Sequence, residues 1–481
     1  MSPVTSAHTA PDNAPPTLGA LRAAGHTHRT VKAEVRENLL ARLRSGDERF
    51  PGILGFSASV LPRLERALLA GHDIVLLGER GQGKSRLIRT LTGLLDAWSP
   101  VIEGCPINDH PYAPVCSRCR RLAAETGDDL PVAWVHRSDR YGEKLCTPDT
   151  GVGDLIGDID PVRLAEGRSL GDPESLHYGL VPRANRGVFC LNELPDLPAR
   201  IQVGLFNVLE ERDVQVRGFA LRLPLDMLLV ASANPEDYTN RGHIITPLKD
   251  RFGAEIRTHY PRELDDETAL IRQEAALSGA VTVPRHLVEV VARFTRLVRG
   301  SSSVDARSGV SARFAIAGIE TAAAAAERRA ALIGEQRPVA RVCDLPPIVE
   351  TLVGKVEFEA GEEGRETEVL SHLLRRATAE AFRHTVDEAT LAPLTDLFAD
   401  GTKVEAGERV SAAELLSGVG SLPGLAALVT RVEPEQGSGD PTECEGYAGY
   451  AAAVLEFAME GLYLNRRLSK EQLEDRAVYR T

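Results

Sequence analysis

Ile74-Val75-Leu76-Leu77-Gly78-Glu79-Arg80-Gly81-Gln82-Gly83-Lys84-Ser85 is the stretch that decides the fold of this chain. Four apolar residues read as a short buried strand. They run directly into a glycine-rich loop, and a helix is predicted to start near Lys84. Residues Gly78 to Ser85 match G-x-x-x-x-G-K-[ST] without a gap. Each position has a chemical reason. Glycines at 78, 81 and 83 let main-chain N–H groups turn inward and cradle phosphate oxygens. Lys84 can reach the β- and γ-phosphates, Ser85 can ligate Mg²⁺, and the helix points its positive end at the anion. Glu79, Arg80 and Gln82 complete the loop. A chance match in a surface loop would lack the strand before it and the helix after it.

Working outward, further short apolar runs occur at Val132-Ala133-Trp134-Val135, Val188-Phe189-Cys190-Leu191 and Met227-Leu228-Leu229-Val230-Ala231. Such runs fit buried parallel strands better than half-exposed ones. Helical pattern lies between them, for instance from Ala199 to Arg212, so the fold class expected is α/β with a parallel sheet. After Pro261 the pattern turns helical, including the Ala-rich Thr321 to Ala331. The organisation expected is a disordered tail over 1–17, an N-terminal helical segment over 18–48 and a nucleotide-binding core over 49–262. An all-helical lid over 263–388 and a helical C-terminal region over 389–481 follow. Gly437-Ser438-Gly439-Asp440-Pro441 reads as a loop, and a last helix is expected from about Tyr447 to Leu468.

Phosphate chemistry needs a second strand ending in acids, one for the metal shell and one to orient water. Val188-Phe189-Cys190-Leu191-Asn192-Glu193 is the candidate, with Glu193 polarising the attacking water. Asn192 stands where an aspartate is expected. Its amide can accept from a metal-bound water but brings no negative charge.

Composition narrows the class. With 481 residues, two or more domains are expected. The net charge of −13 argues against binding nucleic acid through bulk charge, although Arg118, Arg120 and Arg121 form a local basic group. No apolar run approaches the roughly 20 residues of a membrane helix, and the N-terminus has no signal-peptide pattern. Seven cysteines in a chain this long do not suggest a disulfide scaffold. The compartment expected is the cytoplasm.

Three of the cysteines cluster. Cys116-Ser117-Arg118-Cys119 is a C-x-x-C, and Cys105 lies just before it. Thiolates at this spacing can hold structural zinc, with His110 or Cys146 as a fourth ligand. The competing reading is an insertion with unliganded thiols. Cys190, inside a buried-strand pattern, reads as core.

The segment Gly179-Leu180-Val181-Pro182-Arg183-Ala184-Asn185-Arg186-Gly187-Val188-Phe189-Cys190-Leu191-Asn192-Glu193-Leu194 resembles the Walker B region of the magnesium chelatase ATPase subunit and the MoxR-type AAA+ ATPases. Phe50 to Gly55 is similar to their adenine-side segment. Asp154 to Asp160 resembles the stretch before their helix-2 insertion, and Val214 to Leu223 looks like their pre-sensor hairpin. The resemblance runs from about residue 48 to 330. It implies a P-loop AAA+ core with a helical lid, ATP and Mg²⁺ as cofactors, and a ring, usually a hexamer. It also implies further site residues. Asn234, in Ala231-Ser232-Ala233-Asn234-Pro235, matches sensor 1. Arg251 matches the arginine finger that acts on a neighbouring subunit's γ-phosphate. Arg313 is the choice for sensor 2, with Arg307 as competitor. For each arginine the plain alternative is a solvated surface charge.

Three functions follow. The first is an ATPase that remodels a protein partner, such as a von Willebrand A-type protein. The second is the motor subunit of a magnesium or cobalt chelatase. The third, motivated by Asn192, is a scaffold that binds ATP with little turnover.

Overall fold

In the computed structural model, residues 8–159, 176–210, 223–235, 243–305, 309–434 and 446–481 are described. The chain divides into two units, Met1–His259 and Tyr260–Thr481.

In the first unit the strand Ile74–Leu77 has a parallel neighbour on each side. The five-stranded sheet runs Tyr141–Leu145, Val188–Asn192, Leu228–Ala233, Ile74–Leu77, Ala254–Arg257, and every pairing is parallel. Alternation of side chains along the central strands divides the unit into two cores. Val75, Leu77, Phe189, Leu191, Leu229 and Ala231 face one core. Ile74, Leu76, Val188, Cys190, Leu228 and Val230 face the other, against Val31, Val35, Leu64, Leu68, Leu87 and Ile88 from helices. These strands are buried on both faces, which is why their sequences read as unbroken apolar runs.

One strand expected in this sheet lies elsewhere. Val132–His136 pairs antiparallel with Trp98–Ile102, with Val101 opposite Ala133, and most of it is half-buried. The edge position is taken by Tyr141–Leu145, whose sequence Tyr-Gly-Glu-Lys-Leu is half-exposed and polar. An edge strand needs no apolar run, so the periodicity pointed to the wrong segment.

The expected tail over 1–17 also needs correction at its end. Pro16 O accepts from Val132 N–H at 2.9 Å, Pro15 O accepts from the Trp134 indole N–H at 3.0 Å, and Thr17 caps the helix Leu18–Ala23. The strand Val132–His136 has a free edge, and the prolines supply acceptors without needing a donor in return. The helical pattern over 18–48 resolves into two helices, Leu18–Ala23 and Val31–Ser45. Glu34 on the second forms a buried two-pronged ion pair with Arg140, at 2.7 Å for each bond.

The second unit is mainly helical, from Leu264–Glu274 through Arg285–Arg299, Ala312–Ile333 and Glu366–Thr385 to Tyr447–Leu464. Residues expected as lid and as C-terminal region share one hydrophobic core, with Phe294, Phe314 and Leu374 beside Phe398, Leu455 and Phe457. The C-terminal part adds a small antiparallel sheet not expected from sequence, ordered Val404–Ala406, Ala477–Arg480, Ser469–Gln472. Its strands are three or four residues long, too short to leave a period-2 signal.

Candidate nucleotide site and cysteine cluster

The loop Gly78 to Ser85 is held by the strands on both sides. Gly78 N–H donates to Ala233 O at 3.1 Å, and Thr258 N–H donates to Leu77 O at 2.8 Å. The Thr258 hydroxyl then donates to Gln82 Oε1 at 2.6 Å, tying the loop's middle to the last strand. A side chain at Gly78 would overlap both of these atoms. Gly81 and Gly83 sit at φ +73° and +77°, a left-handed backbone that glycine adopts without strain. Gly83 directly precedes the helix Lys84–Thr90. Lys84 is buried, and its ammonium donates to the carbonyls of Gly78 and Glu79, the latter at 2.9 Å. Arg80 is exposed and Ser85 half-buried. These residues fit a triphosphate with Mg²⁺: the loop backbone is turned as phosphate needs, and its one ammonium group lies within the loop.

Asn192 ends the strand Val188–Asn192 and Glu193 follows it. Glu193 is one of four non-glycine residues at positive φ among the described residues, at +54°. Such a backbone costs on the order of 1 kcal/mol and turns the residue sharply off the strand. Its N–H donates to Ser232 Oγ at 3.2 Å, and Ser232 Oγ donates to Asn192 Oδ1 at 3.1 Å. Ser232 lies two residues before the buried Asn234, so the backbone of the candidate acid is bonded to the strand that leads to the candidate sensor 1.

Sequence reasoning missed one residue here. The Asn192 amide donates to the carboxylate of Glu143 on the edge strand. Glu143 also accepts two bonds from Arg89, at 3.1 and 3.2 Å, and one from Tyr141 OH at 2.9 Å. The negative charge absent at 192 therefore stands beside it, one strand away. Its only sequence signal was a glutamate between Tyr141 and Leu145, in a stretch not read as strand.

Arg251 ends the helix Thr246–Arg251. It pairs with Glu210 at 2.7 Å and lies 4.5 Å over the Phe206 ring. Arg313, in the second unit, is exposed in the first turn of Ala312–Ile333. Arg307, Asp160 and residues 214–222 of the expected hairpin lie outside the described residues.

The three cysteines meet, and a fourth residue joins them. One ligand atom each from Cys105, Asp109, Cys116 and Cys119 lies within 4.8 Å of all the others. The fourth member is thus Asp109, in place of the expected His110 or Cys146. His110 points the other way. Its Nδ1 accepts from Tyr112 N–H at 3.0 Å, its Nε2 lies 3.3 Å from His26 Nε2, and burial with Arg186 nearby pushes its pKa down to about 2. Cys146 sits at the end of the edge strand, its N–H donating to Asn192 O. In the cluster, hydrogen bonds from the Cys116 and Cys119 thiols pull Cys105 down to about 4. Burial, with the charge of Cys116, pushes Asp109 up to about 6.

The Sigma-54 interaction domain matches residues 167–248. The magnesium-chelatase 38 kDa subunit of Cereibacter sphaeroides is 30% identical over 212 residues, 42% of this chain and 56% of that protein. The magnesium-chelatase subunit ChlI of Guillardia theta is 32% identical over 196 residues, 40% of this chain and 52% of that protein. A structure of the complex between the magnesium-chelatase subunits BchI and BchD aligns with 66% of this chain and 98% of that one, at 19% identity and a TM-score of 0.34. The chain spans about half the length of the curated relatives it matches. Among the described residues no helix is long and apolar enough to cross a membrane. With a glycine-rich loop set between a strand and a helix of a parallel α/β sheet, the chain is similar in sequence to the ATPase subunits of magnesium chelatase.

Proposed function

We propose that this chain binds ATP with Mg²⁺ at Gly78 to Ser85 and couples its hydrolysis to remodelling of a partner protein in the cytoplasm, as a ring, most simply a hexamer. The observation that carries hydrolysis is the bridge Asn192–Ser232–Glu193 at adjacent strand ends. It fixes the backbone of the candidate base, at positive φ, at the strand end beside Asn192. Lys84 and the loop N–H groups bind the phosphates, and Ser85 with Asn192 orients the Mg²⁺ shell. Bound Mg²⁺ would neutralise charge on the phosphate oxygens. Glu143 supplies a carboxylate near that shell through Asn192. Glu193 accepts a proton from the attacking water, and Asn234 helps position it. Arg251 serves the neighbouring subunit's site, released from Glu210 when the ring forms. Arg313 is the candidate for sensor 2.

Remodelling is favoured because the matched stretch is only 42% of the chain. The second unit and the cysteine insert provide surfaces for a different partner, such as a von Willebrand A-type protein. The second reading, a chelatase motor that drives insertion of a metal by a larger partner, rests on the similarity to the 38 kDa and ChlI subunits. Zinc at the cysteines enters as a structural ion with no part in phosphate chemistry.

The test is affinity purification of Glu193→Gln in ATP, alongside steady-state phosphate release. Turnover by the wild type, lost in the variant with ATP binding kept, supports an ATPase. A protein client held by the variant supports remodelling. Recovery of a tetrapyrrole-binding subunit instead supports the chelatase motor. A wild type as inert as the variant overturns hydrolysis and leaves a nucleotide-gated scaffold.

A further inference from the structure

Zinc needs four ligands arranged tetrahedrally in a structural site. With Zn–S near 2.3 Å, tetrahedral geometry sets ligand atoms about 3.8 Å apart. The four atoms here all lie within 4.8 Å of one another, close to that spacing. They come from three separate pieces of backbone. Cys105 lies in the turn after Trp98–Ile102, its N–H donating to Ile102 O at 3.1 Å. Asp109 follows four residues later. Cys116 caps the helix Ser117–Thr126, and Cys119 is in its first turn.

Main-chain N–H groups donate to three of the four residues. Asp109 N–H donates to Cys105 Sγ at 3.2 Å, and Cys119 N–H donates to Cys116 Sγ at 3.3 Å. Asp109 Oδ2 accepts from Val115 and Cys116 N–H at 2.9 and 2.8 Å. Its other oxygen, Oδ1, is buried and has no hydrogen-bond partner, on a residue that is 0% exposed. A buried carboxylate oxygen left in that state has lost its water without gaining a partner, which is destabilising. A cation among the three sulfurs removes the penalty.

We propose that Cys105, Asp109, Cys116 and Cys119 form a closed, four-ligand zinc site in which Asp109 supplies the carboxylate. It deepens the structural-zinc part of the function proposed above, and its test does not depend on ATP. Soft thiolates select zinc over Mg²⁺ or Ca²⁺, and four protein ligands leave no open position for catalysis. The ion would tie the turn after Trp98–Ile102 to the start of the helix Ser117–Thr126, and the insert so closed packs on the sheet. Ile102, Ile107 and Leu130 share a core with Phe189 and Leu191. Asn185, just before the strand that carries Asn192, donates from its side chain to Ile107 O at 3.0 Å.

The experiment is metal analysis of the full chain purified under reducing conditions and dialysed, followed by cobalt exchange. One zinc per chain is expected. Cobalt should give thiolate-to-metal charge-transfer absorption and the intense visible bands of a tetrahedral centre. Cys105→Ser at the cluster's rim should lower zinc affinity at least tenfold. Asp109→Ala should shift the cobalt bands or abolish binding, whereas His110→Ala and Cys146→Ser should retain zinc and an unchanged spectrum. The two controls also guard against loss by misfolding, since both alter neighbouring buried groups. No zinc in the wild type, or a disulfide among these cysteines under the same conditions, overturns the site. Loss of zinc in His110→Ala or Cys146→Ser, with Asp109→Ala unaffected, overturns the ligand set.

Discussion

The side-chain amide of Asn192 donates to the carboxylate of Glu143, one strand over in the parallel sheet. Asn192 is the residue that looked one charge short, and Glu143 restores that charge beside it. Glu143→Gln should raise the Mg²⁺ concentration needed for half-maximal turnover several-fold and weaken Mn²⁺ binding to the protein–ADP complex, read by electron paramagnetic resonance. Binding of metal-free ATP should be unchanged. Adding Asn192→Asp to Glu143→Gln should restore the metal response, because it moves the charge to the strand end. Equal metal dependence in all these proteins would remove Glu143 from the account.

Asn192→Asp alone sets two carboxylates in contact. Like charges this close resist joint ionisation, so without Mg²⁺ the variant should lose about 1 kcal/mol of stability and regain it as Mg²⁺ and nucleotide are added. Denaturant titration with and without Mg²⁺–ADP measures it.

Arg251 is half-committed within its own chain, to Glu210 and the Phe206 ring. Acting as a finger in trans, Arg251→Ala should cut ring turnover on the order of a hundredfold or more while leaving ATP affinity nearly intact. Mixing the variant into wild-type rings should depress turnover by more than its mole fraction. A simple proportional fall would count against action on a neighbour.

Glu34 and Arg140 make a two-pronged ion pair with side chains only 4% and 2% exposed. Glu34→Ala strands a buried guanidinium, so a loss of about 3–5 kcal/mol is expected in chemical denaturation. The double variant with Arg140→Leu should recover part of it, since it removes the uncompensated charge.

Glu433 anchors the start of the helix Arg285–Arg299. It accepts from Arg285 N–H at 3.0 Å and His286 N–H at 2.9 Å, and lies 2.7 Å from His286 Nδ1. Burial alone would raise its pKa, but bonds to the His286 side chain and to both N–H groups outweigh it and hold the carboxyl below its ordinary value of 4.5. A depressed carboxylate stabilises fully above that value and loses its contribution as pH falls through the folded pKa. The stability gap between wild type and Glu433→Gln, about 1–3 kcal/mol at neutral pH, should therefore close as pH drops below 4.5. A gap that persists into acid would assign the effect to packing.

Legibility followed the kind of signal each residue carries. The turn from strand to helix at Gly78 to Ser85 could be read because its glycines, lysine and serine follow one another along the chain. The central strands could be read because burial on both faces demands apolar runs. The edge strand Tyr141–Leu145 could not, since half-exposed positions admit any residue, and Glu143 was hidden with it. Asp109 was hidden for a related reason. Its neighbours in sequence, Asn108 and His110, are polar too, and only the turn after Cys105 shows which of the three is directed into the cysteines.

By itself, then, the sequence determined what is contiguous: the glycine-rich loop, the paired cysteines and the order of strand and helix around them. Tertiary structure alone decided what must be brought together from a distance: Glu143 against Asn192, Asp109 against three thiols, Pro15 and Pro16 along the edge of Val132–His136. The physical reason is that short-range patterns record backbone and burial demands, whereas charge and ligand geometry are satisfied by whichever residue the fold carries there.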